Sequence, residues 1–219
     1  EQAGLNLQGV EITEAPPSDA AAAVAAQRAA DGRLEALIAG SLALSELLDA
    51  VRAQTALHTR RRLSHVFRLD VPGHARPLWL TDAMLHAAPT LADKADIARN
   101  AIDLLRVMGI EQPRLAVLSA SEAVDAAVPS TIDAAALCKM VDSGQIGGGL
   151  IDGPLAFDSA VSLPAAQSKH PRSAVAGQAD VLLAPDMESG SMLARQLLYL
   201  GGATASGLIV GARVPITVV

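Results

Sequence analysis

Short apolar runs alternate with longer helical stretches along most of this 219-residue chain. The pattern predicts strands at residues 10–12, 36–38, 63–69, 78–81, 114–118, 149–151, 181–184, 208–210 and 216–219. It predicts helices at residues 19–30, from after 41 to about 54, and at 93–108, 134–141 and 188–200. Because helices connect most of these strands, the sheet should be mostly parallel. Continuously apolar strands suit a sheet covered on both faces, so we predict an α/β fold, a three-layer α/β/α sandwich.

The composition indicates an aliphatic core and argues against two classes of function, nucleic-acid binding and membrane insertion. Hydrophobic residues make up 51% of the chain and aromatic residues only 2%, so the core should be aliphatic. The few aromatic side chains argue against binding of single-stranded nucleic acid by base stacking, and the net charge of −6 argues against nucleic acid in general. No apolar run approaches the roughly 18 residues of a membrane span. We therefore predict neither a nucleic-acid partner nor a membrane segment.

The single cysteine, Cys138, excludes a disulfide framework within the chain and suits a reducing compartment. We therefore expect a cytoplasmic location. Cys138 lies in the apolar helical pattern AALCKMV, which favours a buried, inert thiol over a nucleophile.

The glycine-rich stretch GQIGGG, residues 144–149, has the composition of a phosphate-binding loop but not its position. Such a loop follows a strand and opens a helix, so that backbone amides and the helix dipole meet the phosphate. This stretch instead follows a predicted helix and precedes a predicted strand. We interpret it as a helix stop and a turn, with phosphate binding as the weaker alternative.

Ligands of open α/β sheets bind beyond the carboxyl ends of the strands. Four predicted strands end in the sequences GS, DGP, PD and GAR, after residues 38, 151, 184 and 210. Asp152 and Asp186 supply the carboxylates at these positions, and we predict both as catalytic candidates. An aspartate before Gly-Pro often only builds a turn, which is the alternative for Asp152.

The most basic stretch is TRRRLSHVF, residues 59–67. Its three arginines, Arg60, Arg61 and Arg62, together with Ser64 could bind a phosphate through charge-assisted hydrogen bonds. A solvated basic loop is an equally good interpretation. Ser64 and His65 cannot act as nucleophile and base together, because adjacent strand residues point to opposite faces.

Hydroxyl groups precede the helix in VPSTIDAAALCKM. Ser130 and Thr131 could cap this helix or could form an anion seat at its N-terminus, and the sequence leaves both open. A metal site has no support, because the five histidines lack the spacing of a helical site and no dense acidic cluster occurs.

Several stretches together resemble the phosphate acetyl/butyryltransferase family. They are VPSTIDAAALCKM, GGLIDGPLAFDSAVS, SAVAGQADVLLAPDMESGSMLARQL and ASGLIVGARVPI, with RRLSHVFRLDVP and ADKADIARNAIDLLRVMGI as further likenesses. The resemblance covers nearly the whole chain and is most specific in DGPLAFD and ADVLLAPD. It is greatest to the transferase part of proteins fused to an enoyl-CoA hydratase, so a fused hydratase domain is a possible partner.

The resemblance implies reversible transfer of an acyl group, acetyl or butyryl, between coenzyme A and inorganic phosphate. Coenzyme A would be a substrate, with no tightly bound cofactor and no metal. The implied fold is that of the isocitrate and isopropylmalate dehydrogenases, with two possible α/β subdomains around a cleft, in a homodimer. The residues that we expect at the cleft are Asp152, Asp186, Ser64, Ser130 and Thr131, with Arg60, Arg61 and Arg62 attracting phosphate.

The chain departs from the family pattern in two places. The chain closes inside the apolar run 216–219, and a Ser-Arg followed by an Asp is expected beyond Val219; we expect that residues are missing at both ends of this single transferase region. Relatives often read KGSLHTDEL where this chain reads AGSLALSEL, residues 39–47. The lost polar groups favour an alternative, a catalytically inactive acyl-CoA-sensing domain. A nicotinamide-dependent decarboxylating dehydrogenase is a third reading, but no metal-binding aspartate cluster or substrate arginine motif supports it.

Overall fold

The computed structural model describes residues 8–15, 18–170 and 172–218. One sheet contains the strands β1 Leu37–Ala39, β2 Ser64–Asp70, β3 Leu78–Thr81, β4 Arg114–Leu118, β5 Leu150–Leu155, β6 Val181–Leu183, β7 Thr204–Val210 and β8 Ile216–Val218. The helices are α1 Ser18–Ala30, α2 Leu44–Ala53, α3 Leu91–Val107, α4 Pro129–Asp142, α5 Phe157–Val161, α6 Leu163–Lys169 and α7 Met187–Tyr199.

The strands lie in the order β1-β8-β7-β2-β3-β6-β4-β5. Four of the seven neighbouring pairs are parallel, and the three antiparallel pairs all involve β2 or β7. Strands β3, β4, β5, β6 and β7 therefore run in one direction, and β1, β2 and β8 run in the other. The prediction of an α/β fold with a mostly parallel sheet is confirmed.

Helices pack on both faces of the central strands. Val181 and Leu183 of β6 belong to the core cluster of α3 and α4, whereas Leu182 between them belongs to the cluster of α7 on the opposite face. A third cluster packs α1 and α2 against β1, β7 and β8. Here β1 is covered on one face only, because Leu37 is buried and Ile38 is 67% exposed.

Most predicted elements are confirmed with small shifts at their ends. Strands β3 and β4 have the predicted bounds, since each contains a continuous apolar run, LWL and LAVL respectively. The predicted strand at residues 10–12 is wrong: Val10 and Ile12 are 57% and 72% exposed and pair with no strand of the described chain. Helix α4 begins earlier than predicted, because Pro129 occupies its first turn, where a missing backbone N–H does no harm.

The glycine-rich stretch at residues 144–149 ends a helix, as predicted. Gly144 follows the C-cap residue Ser143 of α4 with a φ of +75°, a left-handed conformation that favours glycine. Gly148 has a φ of +86°, and β5 begins at Leu150. The stretch is therefore a turn into a strand.

Two of the predicted strand-end positions require correction. Strand β1 runs in the direction opposite to β6 and β7. The GS sequence after β1 therefore lies beside the starts of β6 and β7, and not beside their carboxyl ends. Asp152 lies within β5 and not beyond it, because β5 continues through Gly153 and Pro154 to Leu155. β5 is an edge strand, where proline is tolerated.

Candidate active site

The carboxyl ends of β3 to β7 lie on one side of the sheet, together with the starts of β1, β2 and β8. We call this side the strand-end side. Ser64 at the start of β2 pairs with Val210 at the end of β7. Asp82 follows β3, Ser119 follows β4, and Asp186 comes shortly after β6. Polar side chains from distant parts of the sequence therefore meet on the strand-end side.

Strand β6 lies where the helices change faces. Helices α3 and α4, which follow β3 and β4, pack on one face, and α7, which follows β6, packs on the other. In open α/β sheets, ligands bind beyond the carboxyl ends of the strands at such a change of face. Asp186 lies at this position as the N-cap of α7, with Oδ1 accepting from the Ser189 amide at 2.7 Å. Its position at a strand end is as predicted; its catalytic role stays a prediction.

Two serines lie close together beyond the end of β4. The hydroxyl oxygens of Ser119 and Ser130 are 2.9 Å apart. Ser130 belongs to the first turn of α4, where the helix dipole favours an anion. Thr131 is fully buried, and its Oγ1 donates to the Val128 carbonyl and accepts from the Asp125 amide. Ser130 therefore keeps a half-buried hydroxyl at the start of α4, whereas Thr131 supports the loop.

A cavity of about 340 Å³ opens on the strand-end side, beside the start of β2. We call it the first cavity. Its polar and charged lining comprises Arg52, His58, Thr59, Arg61, Arg62 and His86. Its apolar lining comprises Val51, Leu57, Leu63, Leu85 and Ala212, with Gly211. This combination suits an anionic ligand that also carries apolar parts.

The three predicted arginines differ in their surroundings. Arg61 Nη1 lies 2.5 Å from Asp103 Oδ2, and Arg62 Nε lies 2.7 Å from Asp93 Oδ1. Arg60 is exposed and outside the first cavity. Arg61 and Arg62 are thus oriented by carboxylates from α3, while each keeps further guanidinium N–H groups for a ligand.

Ser64 does not reach the first cavity. It is fully buried, and its Oγ accepts from Asn100 Nδ2 at 2.9 Å. The same amide group donates to the Arg62 carbonyl at 2.8 Å. Ser64 therefore ties β2 to α3, and direct contact with a ligand would require this arrangement to change.

The sequence reasoning missed an Asp–His pair after β3. Asp82 is buried, and its Oδ1 accepts from the amides of Met84 and Leu85 at 2.9 and 3.0 Å. Its Oδ2 lies 2.7 Å from His86 Nδ1. Asp82 thus holds the turn 82–86, which presents His86 to the first cavity. The strand-end rule applied to residues 78–81 would have found this aspartate.

Both carboxylate oxygens of Asp152 accept hydrogen bonds from neighbouring groups. Its Oδ1 accepts from the Gly153 amide at 2.8 Å, and its Oδ2 accepts a short hydrogen bond from the Ser173 hydroxyl. Ser173 in turn accepts from the Ala176 amide at 2.8 Å. This geometry favours the loop-orienting alternative for Asp152.

Burial, reinforced by the negative charge of Asp152, raises the pKa of Cys138 to about 11. The thiol lies on α4 and contacts the Gly153 carbonyl at 3.5 Å. It is therefore protonated at neutral pH, in agreement with the expected inert thiol, but the side chain is half-buried and not fully buried as expected.

We expect Cys138 to react with iodoacetamide ~100-fold more slowly than a free thiol of ordinary pKa, because the thiolate fraction is smaller by that factor. Mass spectrometry of the native protein over time measures the rate, with N-acetylcysteine as reference. A Cys138→Ser variant should show no labelling in this region. A rate equal to that of the reference would contradict the protonated state.

A network of polar groups surrounds the Glu122 carboxylate near the end of β5. Burial opposes ionisation of Glu122, but polar contacts with Ser159, His170, the Ala156 amide and Lys169 outweigh it and lower the pKa to about 2. Glu122 is thus ionised at all physiological pH values. The network links the loop after β4 to α5 and α6.

Two absences hold for the described part of the chain. Within residues 8–15, 18–170 and 172–218, no group of three or more His, Cys, Asp or Glu side chains could hold a metal ion. Over the same ranges, every helix is too short or too polar to cross a membrane.

The mixed sheet with helices on both faces defines an α/β protein. A cavity lined by cationic side chains lies at its strand ends, where proteins of this class bind ligands, and its charge suits an anionic ligand. Residues 7–219 match the family described as Phosphate acetyl/butaryl transferase. The chain belongs to this family.

Curated relatives carry the corresponding names. The chain is 52% identical over 213 residues to a phosphate acetyltransferase of Rhizobium meliloti, across 97% of this chain and 67% of that protein. It is 47% identical to a phosphate acetyltransferase of Rickettsia felis, across 97% of this chain and 61% of the relative. A probable phosphate butyryltransferase of Bacillus subtilis is 37% identical, across 96% and 72%. The chain thus spans about two thirds of the length of these relatives.

Solved structures agree with the fold. A branched-chain phosphotransacylase from Enterococcus faecalis superposes with a TM-score of 0.87 at 29% identity, over 94% of this chain and 74% of that one. A 4-hydroxythreonine-4-phosphate dehydrogenase from Salmonella typhimurium, described as putative, superposes with a TM-score of 0.59 at 18% identity, over 97% and 65%. The second likeness concerns the fold alone and agrees with the expected dehydrogenase-like architecture.

Proposed function

We propose that the protein containing this chain transfers an acyl group, acetyl or butyryl, between coenzyme A and inorganic phosphate. The family match over residues 7–219 carries this proposal, together with relatives named as phosphate acetyltransferases and butyryltransferases. The cation-lined first cavity supports it, because both substrates carry phosphate groups.

The chemistry requires few protein groups. An oxygen of phosphate attacks the carbonyl carbon of the thioester, and the coenzyme A sulfur leaves. The protein must hold the two substrates together, stabilise the developing oxyanion and manage one proton. No protein nucleophile is needed for direct attack in a ternary complex.

We assign anion binding to Arg61 and Arg62, with Arg60 as an exposed cation that attracts phosphate. Ser130, at the N-terminus of α4, is assigned to an anionic group bound beyond the carboxyl end of β4. Ser64 and Thr131 are buried, so we propose that they act through the backbone segments that they support.

Asp186 is the carboxylate that we propose for proton transfer, because it lies just beyond the carboxyl end of β6. Asp152 remains the second candidate, although its hydrogen bonds to Gly153 and Ser173 suit an orienting role better.

We propose a cytoplasmic homodimer without a tightly bound cofactor, with coenzyme A as substrate. A single cysteine supports the reducing compartment. Light scattering of the full-length protein tests the dimer.

The test is an acyl-transfer assay of the full-length protein with acetyl-CoA or butyryl-CoA and phosphate, following free thiol and acyl phosphate. We expect turnover, and we expect Arg62→Gln to raise the KM for phosphate about tenfold, because a charge-assisted hydrogen bond is lost. The same rise in the KM for coenzyme A instead would assign the first cavity to the phosphates of coenzyme A.

The matched control is Arg99→Gln. Arg99 and Arg62 both pair with Asp96, at 3.1 and 3.7 Å, but Arg99 is not part of the first cavity. The control should leave both KM values unchanged. Acyl-CoA binding without turnover in the wild-type protein would reject the proposal in favour of the inactive acyl-CoA-sensing domain.

A further inference from the structure

The first cavity contains a hydrogen-bond acceptor among its cationic groups. His86 lines this cavity, and its Nδ1 lies 2.7 Å from Asp82 Oδ2. A carboxylate can only accept a hydrogen bond, so Nδ1 carries a proton. In the neutral imidazole the other ring nitrogen, Nε2, is then unprotonated and acts as an acceptor.

The Nε2 atom of His86 is open to a ligand. The His86 side chain is 18% exposed. In the described part of the chain, Nε2 forms no hydrogen bond, and it is not sealed from solvent as the Nδ1 of His65 is. A solvent-accessible acceptor therefore belongs to a residue that lines the first cavity.

Hydrogen-bond donors lie beside this acceptor. Arg61 and Arg62 line the same cavity and are held by carboxylates of α3. The Thr90 hydroxyl is the main cause of the lowered pKa of Asp93; burial opposes it, and the charges of Arg62 and of a protonated His86 lower this pKa further. Arg62 and His86 are therefore near neighbours around Asp93.

An acceptor distinguishes two anions that arginine cannot distinguish. Hydrogen phosphate and sulfate are both tetrahedral dianions, and guanidinium N–H groups donate to either of them. Hydrogen phosphate carries one P–O–H group, whereas sulfate carries no proton near neutral pH. The lone pair of an acceptor is satisfied by the first anion and faces a bare oxygen of the second, which costs affinity.

We propose that the first cavity selects hydrogen phosphate over sulfate, with His86 Nε2 accepting the hydrogen bond of the P–O–H group while Arg61 and Arg62 donate to the other oxygens. Asp82 is a positioning residue, because it fixes the imidazole proton on Nδ1. This inference rests on the proposed function and names the residue that recognises one of the two substrates. The selection is a binding event, and the proton stays on the phosphate.

Binding of the two anions to the full-length protein tests the selectivity. Phosphorus NMR gives the affinity for inorganic phosphate, and displacement of phosphate by sulfate gives the affinity for sulfate. A pH of about 8.5 favours a neutral imidazole, and hydrogen phosphate keeps its proton there. We expect sulfate to bind about a hundredfold more weakly than phosphate. Equal affinities would overturn the inference.

Asp82→Asn tests the role of the tautomer. Asp82 Oδ1 accepts from the Met84 and Leu85 amides, so an asparagine oxygen keeps this place and its NH₂ group faces His86 Nδ1. Nδ1 must then accept, and the imidazole proton moves to Nε2. We expect the affinity ratio of phosphate to sulfate to fall to about one. Nitrogen NMR of the imidazole reports the tautomer, and an unchanged ratio in a variant whose proton has moved contradicts the inference.

His86→Leu removes the acceptor altogether and should also bring the affinity ratio to about one. The control is Arg62→Gln, which removes a donor that both anions use. It should weaken phosphate and sulfate about tenfold each and leave their ratio unchanged. Thermal denaturation shows whether each variant folds. A folded His86→Leu variant that still prefers phosphate as strongly as the wild type would reject His86 as the selecting residue.

The inference and the proposed function fail separately. Binding of phosphate needs no acyl group, so the selectivity is measured even if the protein transfers none, and in that case only the proposed function fails. Acyl transfer together with equal affinities for phosphate and sulfate keeps the proposed function and overturns the inference. Absence of phosphate binding to the wild-type protein at millimolar concentrations overturns the inference as well.

Discussion

Gly211→Ala is expected to destabilise the protein by more than about 3 kcal/mol. Gly211 directly follows β7 and has a φ of +102°, where a side chain costs about 1–2 kcal/mol by itself. An alanine Cβ would also fall on the backbone carbonyl oxygen of Arg62 and lie 2.9 Å from Asn100 Nδ2. Both neighbours are hydrogen-bonded to each other, so neither can move cheaply. Urea denaturation followed by circular dichroism measures the loss.

Gly144→Ala separates the two causes. Gly144 also has a positive φ, of +75°, but a Cβ there would meet no atom within 4 Å. It should therefore cost only the conformational term, about 1 kcal/mol. Equal losses in the two variants would show that the close approach of Gly211 to Arg62 is unimportant.

Asp133→Asn is expected to destabilise the protein by about 3 kcal/mol, because it leaves a buried ammonium group without its counter-charge. The Lys94 side chain is 5% exposed, and its Nζ lies 2.7 Å from Asp133 Oδ2. The expected value is at the low end for buried pairs, since Asp133 is 26% exposed. Lys94→Met should cost less, because it removes the buried charge itself.

A pair on the same helix provides the control. Lys139 and Asp142 of α4 are 4.0 Å apart with side chains 78% and 70% exposed. Asp142→Asn should therefore change the free energy of unfolding by less than about 0.5 kcal/mol. A loss for Asp133→Asn as small as this would mean that water reaches Lys94 in solution.

The elements of the fold could be predicted where the sequence pattern is locally decisive. Strand β4 is a continuous apolar run, and α7 ends where its periodic pattern ends, so local physics sets their bounds. Strand β5 was predicted too short, since Asp152-Gly153-Pro154 is turn-like in isolation. Only its place at the sheet edge makes this sequence acceptable in a strand.

The direction of a strand cannot be read from its own residues. The reversed direction of β1 depends on its pairing with β8, which comes much later in the sequence. For this reason the prediction that the GS loop lies beside the carboxyl ends of the other strands is wrong. The hydrogen-bond partners of side chains could not be predicted from the sequence either. The sequence suggests an accessible hydroxyl at Ser64, but in the structure this hydroxyl accepts a hydrogen bond from Asn100 of α3. Asp186 was located correctly, because the rule for strand ends needs only the strand before it.

The pairing of β1 with β8 also constrains how the chain folds. Leu37 lies against Ile216, so the cluster that holds α1 and α2 needs Ile209, Val214 and Ile216 from the distant end of the described sequence. During synthesis, α1 and α2 emerge long before the strands that cover them, and contacts between such distant residues form slowly. The N-terminal helices should therefore remain exposed to proteases and chaperones on the ribosome until β7 and β8 have been made.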